Sequence, residues 1–156
     1  MEGLESMTPI TDKMHTVASV ETLKPPMLSV VWSDSLLDSV DIDITPLVDR
    51  ETLRRLCDDG KFATAVVGDW GHSVVWPDEV EIGADQLWLE YLSVSGQSDR
   101  RAFLEWRLRH GLSLSASAAA LGLSRRAVAY YSNGERKIPR PILLACRGWE
   151  ALQLAA

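Results

Sequence analysis

Arg125 and Arg126 stand side by side, and Ala129 and Tyr130 follow one helical turn later. At 100° per residue these four fall on one flank of a helix, while Ser124, Ala127, Val128 and Tyr131 fall on the other. The inner flank is apolar and the outer one cationic. Two arginines in a first turn, followed by a small residue and a tyrosine, suit a major groove, where a guanidinium bonds the O6 and N7 of guanine as a forked pair. Ser124 precedes the helix and is placed to cap its free N–H groups. Asn133 and Gly134 break it, and Arg136, Lys137 and Arg140 form a second basic patch of the kind that holds phosphates.

Such a flank needs elements that aim it. Ser113 and Ser115 can start a short helix near Leu114, and Ala118, Ala119 and Ala120 are helix formers small enough to let another helix cross closely. Gly122 supplies the left-handed residue that ends it, with Leu121 and Leu123 as core contacts on either side. Helix, short glycine turn and capped second helix are the punctuation of a helix-turn-helix. Upstream, Ser98 or Asp99 caps a helix carrying Phe103, Trp106 and Arg107 and closed by His110. Downstream, residues 141–154 are helical, with Ile142, Ala145, Trp149 and Leu152 at helical spacing. That stripe reads as core, with a homodimer seam as the sharper alternative.

From Asp99 to Trp149 the chain resembles the lambda-repressor-like, or Cro/C1-type, DNA-binding domain. The residues that carry the resemblance are Arg107 and Gly111, Leu112 and Ser113, Ala118 four before Gly122, Val128, and the run from Gly134 to Pro139. It implies an all-α domain with double-stranded DNA as partner, acting in transcriptional regulation as a repressor. It also implies base-facing positions at Ser124, Arg125, Arg126, Ala129 and Tyr130. Ser113, Asn133, Arg136, Lys137 and Arg140 are then the phosphate contacts. Many relatives carry a phosphate-contacting glutamine where this chain has Leu114, so that contact is replaced by a hydrophobe with a partner-facing role open to it.

Charge separates the halves. Residues 1–98 hold 6 basic and 18 acidic side chains, a net −12, whereas residues 99–156 hold 10 basic and 4 acidic, a net +6. The overall −6 would disfavour nucleic acid if spread evenly, but the C-terminal part carries positive potential of its own. The expected organisation is an arm over 1–26, an acidic α+β domain over 27–95 and the DNA-binding domain over 96–156. Cys57 and Cys146 lack CxxC spacing and read as buried reduced thiols, not as a zinc site or a disulfide. With no signal peptide and no membrane-spanning apolar run, a cytoplasmic protein is expected, with no cofactor and no metal.

In the acidic half, Lys24-Pro25-Pro26 ends a poorly patterned flexible stretch in which His15 reads as exposed. Met27 to Trp32 reads as a strand, Ser33-Asp34-Ser35 as its turn, and Val40, Ile42 and Ile44 alternate with Asp41 and Asp43 as a strand with one wet face. Asp49 caps a helix through Leu53, Leu56 and Cys57 to Gly60, Phe62 to Val67 and His72 to Trp76 return as strands, and a helix bearing Leu87, Trp88, Tyr91 and Leu92 closes the domain. The tight joints favour antiparallel pairing. From Pro26 to Leu92 the pattern is similar to a small uncharacterised prokaryotic domain family, some members of which carry a repressor-like domain behind it. That likeness implies architecture and no chemistry. Its stand-alone members suggest a second role, an antitoxin-like module whose acidic half binds a basic protein partner while DNA binding provides autoregulation.

Asp69, His72, Asp78, Glu79 and Glu81 could together supply a general base or metal ligands. Nothing like HExxH, GxSxG or a phosphate-cradling glycine loop accompanies them, and no enzyme is expected. Acidic residues beside Trp70 or Trp76 fit a protein-binding or ligand-sensing face better.

Overall fold

A computed structural model describes residues 15–33, 38–58 and 60–156. The first part of the expected arm, residues 1–14, lies outside the described residues, and of the turn expected at 33–35 only Ser33 is described. The protein is mixed α/β, with two three-stranded antiparallel sheets and six α-helices among the described residues. It divides into one compact unit ending at Val94 and another running from Ser95 to Ala156.

In the first unit, strands β1 (Val17–Thr22), β2 (Met27–Trp32) and β3 (Ser39–Asp43) pair in the order β1-β2-β3, with Val30 opposite Val20 on one side and Val40 on the other. The period-two pattern sets the faces: Leu28, Val30, Trp32 and Ile42 are buried, and Asp41 and Asp43 are exposed. β1 corrects the reading of 1–26 as an arm. Its polar Ser19 and Glu21 masked it in the sequence, yet it is paired along its length with β2, apart from a bulge between Val17 and Ser19. His15, expected to be exposed, is half-buried with its ring 3.9 Å from that of Trp88.

Helix α1 (Arg50–Cys57) is capped as expected, the Asp49 carboxylate accepting from the Thr52 N–H at 2.8 Å. Leu56 is its buried residue; Cys57, expected inside, is exposed because it lies one step around the helix. The strand expected over Phe62–Val67 is a 3₁₀ turn over Lys61–Thr64 followed by a short β4 (Val66–Val67). Gly60, at φ 70°, starts that turn, and the Phe62 carbonyl accepts from the Trp76 indole Nε1 at 3.0 Å where a ladder bond would have been. β5 (Ser73–Trp76) is central in the second sheet, between β4 and β6 (Val80–Gly83), with Val74 opposite Ile82. Helix α2 (Ala84–Val94) packs on β3, β5 and β6. Leu87, Trp88 and Leu92 are buried there, and the Trp88 ring meets Trp32 edge-on at 5.1 Å. Burying side chains of this size stabilises the fold by about 1.5–3 kcal/mol each.

The second unit holds helices α3 (Ser98–Arg109), α4 (Leu114–Leu121), α5 (Arg125–Asn133) and α6 (Arg140–Ala155). α3 starts one residue earlier than a Ser98 cap would place it and two earlier than an Asp99 cap would, with Gln97 at the cap and no side-chain bond to the free N–H groups. The core of this unit gathers Phe103 and Trp106 from α3, Leu114 and Ala118 from α4, Val128 and Ala129 from α5, and Ile138 and Cys146 beyond them. No helix among the described residues is long and apolar enough to cross a membrane.

Candidate nucleic-acid interface

Each end of the two short helices is set by a named local bond. The Ser113 hydroxyl accepts from the Ala116 N–H at 3.0 Å and the Ser124 hydroxyl from the Ala127 N–H at 3.0 Å. Between them Gly122 sits at φ 72°, and the Leu123 N–H returns to the Ala118 carbonyl at 2.9 Å. A side chain with a Cβ is strained there, which is why glycine ends this helix. Ala118 is buried where α4 meets α5, and Leu121 and Leu123 pack on the core from either side of the turn.

Behind this pair lies a polar tie centred on Arg107, one of the residues that carry the resemblance. Arg107 is only 6% exposed, and its bonds include Nε to the Ser117 hydroxyl at 3.2 Å and Nη1 to the Ser132 hydroxyl at 2.9 Å. Its Nε also donates to the Leu112 carbonyl at 3.3 Å. One buried guanidinium therefore joins α3, α4 and the end of α5. Arg100 adds a second link, donating to the Ser132 carbonyl at 2.8 Å, where a cation also complements the negative end of the α5 dipole. Gly134, at φ 84°, leaves room for it: a Cβ there would come within 3.1 Å of the Arg100 guanidinium. The signal for this tie was arginine and serine at spacings that only the fold brings together.

On the outer side of α5, Ser124, Arg125 and Arg126 are exposed and Tyr130 is half-buried. Ala129, expected among them, is 2% exposed and belongs to the core. Val128 and Ala129 are both needed to fill the space against α3 and α4, so the buried flank is wider than the helical wheel suggested. Arg136 is brought up by its own N–H bond to the Tyr130 carbonyl at 3.2 Å, and its guanidinium lies 4.7 Å from the Tyr130 ring centre. Arg126 lies 5.9 Å from the same ring. The phenol thus serves as a shared platform for two guanidiniums, which limits their freedom before any ligand arrives.

Lys137 and Arg140 are exposed beside Arg136, and Ser113 is exposed at the start of α4. Asn133, expected to hold a phosphate, donates its amide to the Glu135 carboxylate at 3.2 Å and accepts from the Glu135 N–H at 2.9 Å, which ties it to the turn that follows α5. Leu114, for which a partner-facing role was open, is fully buried in the unit's own core. At the far side of the unit, His110 and Arg109 clasp Glu150 of α6, at 2.6 Å and 2.8 Å. The His110 and Arg109 hydrogen bonds hold the Glu150 carboxyl below the usual glutamate range. Burial pushes the Cys146 thiol up to about 11, which keeps it protonated and inert at neutral pH.

The fold and this face define a mixed α/β protein that presents a capped helix with a cationic outer flank. The chain is 34% identical to a protein from Nitrosomonas europaea whose crystal structure is described as that of a putative DNA binding protein; the match covers 88% of each chain with a TM-score of 0.61. The chain belongs to the family of that protein. No protein-family model and no curated protein matches it.

Proposed function

We propose that this protein is a sequence-specific DNA-binding transcriptional regulator of the lambda-repressor-like helix-turn-helix type, acting as a repressor through binding alone and without turnover. Helix α5 enters the major groove, Arg125 and Arg126 read base edges, and Tyr130 holds Arg126 in place. Ser113, Arg136, Lys137 and Arg140 hold phosphates. The observation that carries the reading is the outer flank of α5: two exposed arginines in its first turn, beside a tyrosine that also stacks Arg136. The description of the Nitrosomonas europaea relative as a putative DNA binding protein supports it.

Fluorescence anisotropy with duplex DNA from upstream of the protein's own gene, repeated at several salt concentrations, tests this. Binding is expected to be stronger than to scrambled duplex of equal length. Arg126→Ala is expected to lose about 1–3 kcal/mol of discrimination at one base pair. An Arg126→Ala protein with unchanged sequence preference rejects the assignment.

A further inference from the structure

The first unit carries a feature that DNA binding does not use. Between β4 and β5 the loop Gly68-Asp69-Trp70-Gly71-His72 presents Trp70 with 89% of its surface in water. Trp70 holds φ 59°, a region that bulky side chains enter only under constraint. The constraint is visible at both ends of the loop. The Gly68 N–H donates to the Ser73 carbonyl at 2.8 Å, and a Cβ on Gly68 would lie 2.3 Å from the Ser73 hydroxyl. Gly71, at φ 74°, is pressed on β1, where a Cβ would lie 2.6 Å from the Val17 carbonyl oxygen. The indole is therefore held out on a fixed frame with no core to fill.

Beside it is an open pocket of about 390 Å³ lined by Asp69, Trp70, His72, Ser73, Val75 and Glu81. Ser73 is buried, and its hydroxyl donates to the Glu81 carboxylate at 2.5 Å, which fixes Glu81 on the pocket wall. An electron-rich indole face beside two carboxylates fits a flat organic cation, stacked on the ring and bonded at its edge. Arginine meets both demands with one group, since its planar fork stacks and donates at once.

We propose that this pocket docks an arginine side chain carried on a basic segment of a partner protein. The protein source follows from the openness of the site: a small cation would leave Trp70 in water, whereas a protein surface covers it, and tryptophan and arginine are both enriched in interface hot spots. Charge complementarity points the same way, because residues 1–98 hold 18 acidic against 6 basic side chains and attract a basic surface from a distance. This docking and the DNA-binding reading stand on different residues, so either can fail alone.

The test uses the full chain without DNA and a fluorescein-labelled Gly-Ser-Arg repeat peptide, followed by anisotropy. The same peptide with citrulline for arginine keeps the shape and removes the charge. The arginine peptide is expected to bind and the citrulline peptide to fail. Trp70→Ala is expected to weaken binding about tenfold or more, and Trp70→Phe to weaken it less. Trp70→Asn, a residue that tolerates positive φ, repeats the loss with the loop conformation kept, should the alanine variant unfold. Equal affinity for wild type and Trp70→Asn overturns the proposal, as does equal binding of the citrulline peptide. A capped single arginine that binds as tightly as the peptide overturns the protein source.

Discussion

Replacing Arg107 by Met keeps a long apolar stem in the core and removes the guanidinium that ties α3, α4 and α5. The loss can be worked from its bonds. Hydrogen bonds from a charged donor stabilise by about 1.5–3 kcal/mol, and Arg107 makes such bonds to Ser117, Ser132 and the Leu112 carbonyl. Relief from burying a charge offsets part of that, which leaves a net destabilisation of about 2–4 kcal/mol. In a unit the size of Ser95–Ala156 each kcal/mol shifts the melting midpoint by about 4–8 °C, so Arg107→Met should lower it by roughly 10–30 °C. Circular dichroism melts of the full chain measure this, and a double-mutant cycle with Ser132→Ala should return a coupling of about 0.5–3 kcal/mol. Below its midpoint the variant should still rank DNA sequences as the wild type does, because Arg107 is buried inside the unit. A midpoint within about 2 °C of wild type, or a reordered sequence preference, refutes the tie as described.

Lys137→Ala should weaken binding to every DNA sequence alike and flatten the plot of log affinity against log salt by about 0.9, read by anisotropy titrations. Leu114→Gln, which introduces the residue type that the lambda-repressor-like resemblance implies at this position, should cost about 2–5 kcal/mol by leaving an amide in an apolar core; denaturant unfolding measures it. Glu150 has its carboxyl pKa lowered by His110 and Arg109, so its contribution to stability is present above the ordinary glutamate pKa of about 4.3 and is lost as pH falls through the lower folded value. Glu150→Gln should therefore lower stability at neutral pH and reduce its fall on acidification, seen in melts across that range.

Much of the second unit was legible because its signals are local. Ser113, Gly122, Ser124 and Gly134 each act on backbone within four residues, and a linear pattern records that directly. The errors came where distant parts decide. Ala129 looked outward on a helical wheel, but the crowding of α3 and α4 takes it inside. Arg107 needed Ser117 and Ser132, ten and 25 residues on, before its role could be seen. In the first unit, the alternation of β3 was legible from Ile42 and its flanking aspartates, whereas β1 was not. An edge strand with one wet face needs few hydrophobes, and its evidence is the partner that pairs with it.

That edge strand also fixes where the acidic unit can be cut. Cleavage after Pro26 would strip β2 of its ladder on one side and bare the backbone amides of the most hydrophobic strand in the sheet, with Leu28, Val30 and Trp32 along it. An open flat edge of that kind recruits other chains, so the shortened unit should be prone to self-association. β1, which lies in a stretch that reads as dispensable, is expected to keep that edge from recruiting its neighbours.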